Sequence, residues 1–293
     1  MSARLMRELL DGIAQQLAAS TQLDSETRRD AKRESRLLAA AALACAPGEI
    51  ARRLEQPLSD GDAQRIFAAA ERRSRGEPLA YAVGNAAFRH LVLHVDNRVL
   101  IPRPETEVVV QAALDATAGR RGGIAVDVGT GSGAIALALA TEGAFERVIG
   151  TDVSVDALDV ARLNSDSVKP PIAVEFRLGS DLTPLEGVRA RVIVSNPPYI
   201  AYDEASALPA SVRDWEPATA LFAADGGMAR YDVLLAESQR FLEPGGALVL
   251  ELDARRARET ATRAERHGWL DIRILRDLSG RERVLVAQSP GSP

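Results

Sequence analysis

The sequence is poor in three features that would assign a protein to a compartment or a class of partner. Cys45 is its one cysteine among 293 residues, which excludes an internal disulfide and indicates a reducing compartment. The longest apolar run, residues 37–46, is far shorter than the ~20 residues that cross a bilayer, so we expect no membrane association. The net charge of -5 offers no basic excess for a nucleic-acid backbone. Arg7, Glu8 and Asp11 near the N-terminus do not suit a signal peptide, and we expect a cytoplasmic protein.

The first part of the chain has a helical pattern. Leu9, Ile13 and Leu17 recur at helical spacing. We expect further helices from Asp24 to Ala46, from 48 to 54, and from Ser59 to about 76. A bundle over residues 1–77 is either a structural cap or a partner-binding module. We favour a substrate-recognition domain, because a separate helical unit is unnecessary for the chemistry described below.

A different pattern begins at residue 78. Segments 81–88 and 91–95 predict two short strands, so residues 78–100 are interpreted as a β-hairpin linker. A proline-rich arm follows, and Pro104 suits the first turn of a helix over 105–118. Arg103 lies on this stiff arm, where it is either a salt-bridge strut or a positioned active-site residue.

The segment 124–151 has the organisation of a nucleoside-binding unit. A buried strand over 124–128 leads into a glycine-rich turn and a helix from Ala134, which brings backbone close to a ligand at a helix N-terminus. A second strand over 147–151 ends at Asp152, whose carboxylate can accept both hydroxyls of a ribose. The turn residues that we expect to contact the cofactor are Gly129, Thr130, Gly131, Ser132 and Gly133.

Two details favour S-adenosylmethionine over a dinucleotide. The turn lacks the third glycine of the dinucleotide fingerprint, and Asp127 before it suits an ammonium group better than a pyrophosphate. A third strand, 173–178, is followed by Asp181, placed to accept the adenine amino group, and by Leu182, which could cover the ring. Carboxylates at the same end of three successive strands indicate a ligand site.

A fourth strand, 192–194, leads into Asn196-Pro197-Pro198-Tyr199. The prolines force the chain out of the sheet at the edge where ligands bind in open α/β sheets. The Asn196 amide and the proline peptide carbonyls can hold a planar group that carries an NH2, and the Tyr199 ring can pack beside it. Alone, the tetrapeptide could also be an Asn-Pro turn with a half-buried tyrosine.

Together these motifs resemble one family. The glycine turn with Asp127 and Asp152 is similar to the S-adenosylmethionine methyltransferases. The Asn196 loop and the arm Ile-Pro-Arg-Pro-Glu-Thr-Glu at 101–107 resemble the peptide chain release factor glutamine N5-methyltransferases. Further similarity lies at Glu216-Pro217, 242–246 and 277–283, so that it runs from about residue 72 to 287. Glu251-Leu252-Asp253, where the family tends to have a glycine after the acidic residue, and His90 depart from the pattern.

The resemblance implies an α/β fold: a Rossmann-like seven-stranded sheet over residues 101–293 with a small N-terminal helical bundle. It implies methyl transfer from S-adenosylmethionine to the glutamine of the Gly-Gly-Gln loop of release factors, with S-adenosylhomocysteine as product. Asn196, Pro197 and Tyr199 would be catalytic, with Asn196 also beside the cofactor, and Pro198 and Arg103 would contact the substrate. We expect a monomer without a metal or nucleic acid, and we interpret the three histidines as structural.

The remaining strands are expected at 247–252, 270–276 and 283–287, the last two forming an antiparallel edge. The insertion 200–229 is long for a connection and could cover the substrate side. A ribosomal-protein glutamine methyltransferase, an amino methyltransferase of nucleic acid and a noncatalytic cofactor-binding protein remain alternatives. The arm disfavours the first two, and the intact Asn196 loop disfavours the third.

Overall fold

The computed structural model describes residues 5–290 and divides into two compact units. Residues up to Asn85, together with Leu208–Trp215, form the first unit, and Ala86–Ala207 with the chain from Glu216 onward form the second. The chain thus leaves the first unit inside the predicted hairpin, while the predicted boundaries at 77 and 100 stay predictions. Residues 1–4 and 291–293, which the predicted domains include, lie outside the described residues. In 5–290, no helix combines the length and apolar character needed to span a membrane.

The first unit is built from helices around one apolar core. Leu9, Ile13 and Leu17 are buried, as their spacing predicts. The Ser59 hydroxyl caps its helix by accepting a hydrogen bond of 3.1 Å from the Asp62 amide. The helices are α1 (Met6–Ala19), α2 (Ser25–Arg29), α3 (Ala31–Ala42), α4 (Pro47–Arg52), α5 (Asp60–Ser74) and α6 (Leu79–Val83).

Two expectations about this region were wrong. The helix expected from Asp24 to Ala46 is interrupted at Asp30, whose φ of -103° and ψ of 27° are not helical. The strand predicted over 81–88 begins only at Asn85, and residues 79–83 form helix α6. Tyr81 packs into the interior, and Gly84, at φ 80°, ends the helix. A short apolar run fits either period, so the pattern could not distinguish them.

The second unit contains a two-stranded hairpin and a seven-stranded sheet. The strands are β1 (Asn85–Phe88), β2 (Leu91–His94), β3 (Ile124–Val128), β4 (Arg147–Asp152), β5 (Val174–Leu178), β6 (Ala190–Ser195), β7 (Leu242–Glu251), β8 (Leu270–Arg276) and β9 (Glu282–Gln288). The helices of the second unit are α7 (Pro104–Ala116), α8 (Ala134–Glu142), α9 (Val155–Val168), α11 (Ala218–Leu221), α12 (Ala229–Glu237) and α13 (Ala257–Arg266). Helix α10 (Ala210–Arg213) lies between α9 and α11 in the chain but belongs to the first unit.

The sheet has the order β5-β4-β3-β6-β7-β9-β8. Strands β3 to β7 are parallel, and β9 runs antiparallel to both β7 and β8. The predicted antiparallel pair is therefore confirmed, although the reversed strand is β9, one position inside the edge. Alternate residues of the central strands point to two apolar clusters, as Ala125 and Val126 do in β3. This architecture confirms the predicted α/β Rossmann-like sheet with an N-terminal helical bundle.

Candidate active site

A cleft of about 150 Å³ opens at the carboxyl ends of four adjacent strands, β5, β4, β3 and β6. This is the edge at which open parallel sheets bind ligands. Ten of the predicted site residues line the cleft: Arg103, Gly129, Thr130, Gly131, Ser132, Asp152, Asp181, Asn196, Pro197 and Pro198.

The glycine-rich turn is fixed by backbone hydrogen bonds to the next strand. The amides of Gly129 and Thr130 each donate to the Thr151 carbonyl at 2.8 Å. Gly129 and Gly131 have positive φ values of 75° and 53°, which favour glycine. The space beside both Cα atoms is open, so a ligand can approach the backbone closely.

Asp152 holds the turn and faces the cleft. Its Oδ2 accepts a hydrogen bond of 2.9 Å from the Gly131 amide, and its Oδ1 accepts one of 2.9 Å from the Ser154 amide. Each carboxylate oxygen has a further lone pair for a ligand hydroxyl. Burial raises the pKa of Asp152 above its ordinary value, opposed by these hydrogen bonds.

Asp181 meets a partner that the sequence did not suggest. Arg230 Nη1 lies 2.7 Å from Asp181 Oδ2, and both residues line the cleft. The Ser180 hydroxyl donates to the same carboxylate oxygen at 2.7 Å. Asp181 therefore already has a cation and a hydroxyl at Oδ2, and a ligand amino group would have to use the remaining lone pairs.

Asp127 lies behind the cleft. Its side chain is fully buried, and its Oδ2 accepts hydrogen bonds from the Thr130 hydroxyl at 2.6 Å and the Ala136 amide at 3.1 Å. Its Oδ1 is buried without a hydrogen-bond partner among the described residues. Burial raises the pKa of Asp127 to about 7. In this structure Asp127 joins the glycine turn to helix α8, and its contact with an ammonium group of the cofactor stays a prediction.

Three other predicted residues, all in the described part of the chain, also lie away from the cleft lining. Leu182 is buried in the core beside Leu185, because an apolar side chain gains more from the interior than from the rim. The Tyr199 ring packs against the same cluster, and burial raises the pKa of its hydroxyl. Gly133 caps helix α8 at φ 83°, where a Cβ would come within 3.3 Å of Ala161 Cβ.

The Asn196 loop is held by hydrogen bonds to strand β3 and to helix α7. The Ser195 hydroxyl donates to the Val128 carbonyl at 2.7 Å, which joins the ends of β6 and β3. Asn196 Nδ2 donates to Thr106 Oγ1 at 3.2 Å, and the Thr106 hydroxyl donates to Glu251 Oε2 at 2.6 Å. Thr106 and Glu251 are buried, and burial raises the pKa of Glu251 to about 7.

Arg103 is paired as well as facing the cleft. Its Nη2 lies 2.5 Å from Glu216 Oε1, and Glu216 Oε2 accepts a hydrogen bond of 3.2 Å from the Ile101 amide. The Glu216 side chain is only 1% exposed. The strut interpretation therefore describes what the guanidinium does in this structure, and contact with a substrate stays a prediction.

The insertion 200–229 contains short helical turns, including α11, rather than unstructured chain. Its first part is held by an ion pair of 2.9 Å between Glu204 and Arg256. At its end, a Cβ on Gly227 would lie 2.2 Å from the Tyr199 carbonyl oxygen, so glycine is required where the segment passes the Asn196 loop. Whether the insertion covers a substrate stays a prediction.

Four residues of the site had no role assigned from the sequence: Thr106, Glu216, Arg230 and Glu251. Thr106 and Glu216 are inside the motifs that carry the family resemblance, so the motif itself was the available signal. Glu251 ends a parallel strand at the same edge as Asp152, and that recurrence could have identified it. Arg230 lies in helix α12 without a local pattern that indicates a site.

Known proteins are similar to this chain over most of its length. The model of the PrmC N-terminal domain matches residues 9–84, and that of the methyltransferase small domain matches 106–212. A release factor glutamine methyltransferase of Burkholderia pseudomallei is 37% identical over 267 residues, covering 88% of this chain and 92% of the relative. One of Cereibacter sphaeroides is 36% identical, covering 90% of this chain and 93% of the relative.

A solved structure supports the fold alone. A methyltransferase from Pyrococcus furiosus superposes with a TM-score of 0.53 at 18% identity, covering 80% of this chain and all of that one. Both relatives are at least 36% identical to this chain and are covered over more than nine tenths of their own length. The chain belongs to the release factor glutamine methyltransferase family.

Proposed function

We propose that this protein transfers a methyl group from S-adenosylmethionine to the side-chain amide nitrogen of a glutamine in a peptide chain release factor. One observation carries the proposal: the Asn196 loop lines the same cleft as the glycine turn and Asp152. The residues proposed to hold the substrate amide and those proposed to hold the nucleoside therefore line the same cleft. Acting on release factors, the protein would work in the cytoplasm with the translation machinery.

The residues of the cleft fit the cofactor. The open backbone at Gly129 and Gly131 accommodates its amino-acid portion, and Asp152 offers free carboxylate lone pairs to the ribose hydroxyls. Asp181 with Arg230 lies at the end of β5, where the adenine would lie. When bound, S-adenosylmethionine supplies an electrophilic methyl group on a sulfonium.

The protein's own contribution is to hold the substrate amide. The lone pair of an amide nitrogen is delocalised into the carbonyl, so the nitrogen is a poor nucleophile and alignment has to supply much of the rate. Near-attack positioning can contribute up to about 7–11 kcal/mol. In the proposed arrangement the Asn196 Oδ1 and the Pro197 carbonyl accept the two amide hydrogens, and the nitrogen faces the methyl group.

A dedicated general base is not part of this proposal. His90 pairs with Glu142 and His94 with Asp96, and the His267 carbonyl accepts a hydrogen bond from Gln239. None of the three histidines, all in the described part of the chain, is among the residues that line the cleft. The extra proton would leave after methyl transfer, when the product amide can pass it to water.

A direct test uses purified protein, S-adenosylmethionine and three substrates in separate reactions: a release factor, ribosomal proteins and RNA. The proposal expects a one-methyl mass shift on the peptide that contains the Gly-Gly-Gln glutamine. A shift confined to ribosomal proteins or to RNA would replace this function with one of the alternatives. No transfer to any of them, with the cofactor bound, would indicate a noncatalytic binding protein.

We also propose that the helical unit, predicted as residues 1–77, recognises the release factor. It presents a groove between α2 and α3 whose rim carries the exposed Arg29 and Arg33. Reversing both charges with Arg29→Glu and Arg33→Glu should raise KM for the release factor and leave KM for a short glutamine peptide unchanged. Arg65→Glu, outside the groove on α5, is the matched control, and equal effects of both changes would contradict the proposal.

A further inference from the structure

A chain of three buried or half-buried polar side chains runs from the cleft into the core. Asn196 follows β6, Thr106 lies in the first turn of α7, and Glu251 is the last residue of β7. The links are 3.2 Å from Asn196 Nδ2 to Thr106 Oγ1 and 2.6 Å from Thr106 Oγ1 to Glu251 Oε2. Glu251 is 1% exposed and Thr106 is 4% exposed, so water does not compete strongly for these bonds.

The chemistry of the three groups fixes the direction of the chain. An ionised carboxylate only accepts hydrogen bonds, and a threonine hydroxyl has a single proton. That proton is committed to Glu251, so the Thr106 oxygen can only accept from Asn196. The Asn196 carboxamide must then turn its NH2 toward Thr106, which leaves Oδ1 as the end presented to the cleft.

We propose that Thr106 and Glu251 are positioning residues that select which end of the Asn196 carboxamide meets the substrate. This inference rests on the proposed function, in which Asn196 accepts a hydrogen from the glutamine amide. If the carboxamide turned over, its NH2 would face the substrate NH2, and two donors would meet without an acceptor. The effect is on orientation, so the cofactor site and the overall fold should be little affected.

Replacing Thr106 by valine removes the hydroxyl and keeps the branched shape of the side chain. Thr106→Val is expected to lower kcat about tenfold or more, since tenfold corresponds to about 1.4 kcal/mol, the order of one hydrogen bond. Kd for S-adenosylmethionine should stay within about twofold. KM for the release factor should change much less than kcat, because the glutamine amide is one of many contacts that a protein substrate makes. Thr106→Ser, which retains the hydroxyl, should restore most of kcat.

Thr117→Val is the matched control. Thr117 is also buried, follows helix α7, and donates its hydroxyl to the Ala113 carbonyl at 2.8 Å, without a link to Asn196. It should lose stability as Thr106→Val does but keep kcat. If Thr106→Val does not fold, Glu251→Gln takes its place, because a glutamine can donate as well as accept and no longer dictates the direction. A folded Thr106→Val or Glu251→Gln with wild-type kcat would overturn the inference.

A readout that does not require turnover separates this inference from the proposed function. The side-chain NH2 protons of Asn196 in a 15N NMR spectrum should shift in Thr106→Val and return in Thr106→Ser. If wild type fails to methylate a release factor but these signals behave as expected, the proposed function fails and the orientation holds. If wild type is active but the signals are the same in all three proteins, the inference fails.

Discussion

Arg103 Nη2 and Glu216 Oε1 lie 2.5 Å apart although 113 positions separate the two residues in the chain. Glu216 also accepts from the Ile101 amide, so a single buried carboxylate fixes the proline-rich arm at two points. The arm leads directly into the turn that carries Thr106. The pair therefore joins the insertion to the arm that precedes helix α7, whose Thr106 accepts a hydrogen bond from Asn196.

Removing the charge of Glu216 should lower both the stability of the protein and its kcat. Glu216→Gln leaves Arg103 without its carboxylate, and hydrogen bonds to charged groups contribute about 1.5–3 kcal/mol. We expect the free energy of unfolding, measured in urea, to fall by about 2 kcal/mol and kcat to fall with it. Glu265→Gln, on the exposed face of α13, is the control. Equal stability of the two variants would show that the pair does not hold the arm.

Asp152 should determine cofactor affinity. Asp152→Ala removes the acceptor proposed for the ribose hydroxyls, and the loss of charge-assisted hydrogen bonds should weaken binding about tenfold to hundredfold. Isothermal calorimetry with S-adenosylmethionine measures the change directly. Asp156→Ala, an exposed neighbour on α9, should bind as wild type does, and an unchanged Kd in Asp152→Ala would remove this residue from the ribose site.

The rate should depend on the protonation of Glu251. Burial raises its pKa to about 7, a Glu105 charge on α7 raises it further, and Arg283 on β9 and Arg103 on the arm lower it. Below that pKa the protonated Glu251 can donate to Thr106, whose hydroxyl can then donate to Asn196 Oδ1 and turn the amide over. We expect kcat to fall as pH drops from about 8.5 through about 7.

The control for this dependence is Glu251→Gln, which cannot ionise. Its kcat should be lower than that of wild type at high pH and should lack the inflection near pH 7. The comparison uses saturating cofactor and release factor, so that binding does not contribute to the profile. A wild-type profile that stays flat through this range would contradict the assigned role of Glu251.

Asp127 should make stability depend on pH in a known direction. Its pKa is raised from 3.8 to about 7 by burial, so the folded state favours the protonated form. The stability that this preference contributes is present below the ordinary pKa and is lost as pH rises through about 7. Asp127→Asn should therefore show a smaller decrease in unfolding free energy between about pH 5.5 and about pH 8.5 than wild type. An identical decrease in both proteins would be evidence against a raised pKa at Asp127.

The sequence predicted correctly those parts of the fold in which a buried element has an unambiguous hydrophobic pattern and clear turns at its ends. Strand β3 was predicted at 124–128 and found there, because a fully buried strand between turns is a continuous apolar run. The strand predicted over 81–88 was wrong at its start, because a short apolar run fits a strand or a helix equally well. The packing of Tyr81 in the interior decides for helix α6.

The site divides in the same way. Asp152 and Asn196 were predicted to line a ligand site because each is a polar residue directly after a buried strand, at the edge where open α/β sheets bind ligands. The Leu182 side chain is buried in the core, because the sequence does not tell on which side of the chain an apolar residue after a strand will point. Its contact with the cofactor stays a prediction. The link from Thr106 to Glu251 joins residues 145 positions apart, and only the packing of α7 against β7 brings them together.

The central claim is that the Asn196 carboxamide holds the substrate amide, and Asn196→Ala tests it most directly. Single-turnover methyl transfer to a release factor should fall by about a hundredfold or more, as for removal of a positioned donor or acceptor at a reacting centre. Calorimetry on the same protein should give a cofactor Kd within about twofold of wild type. Wild-type turnover in Asn196→Ala would contradict the account.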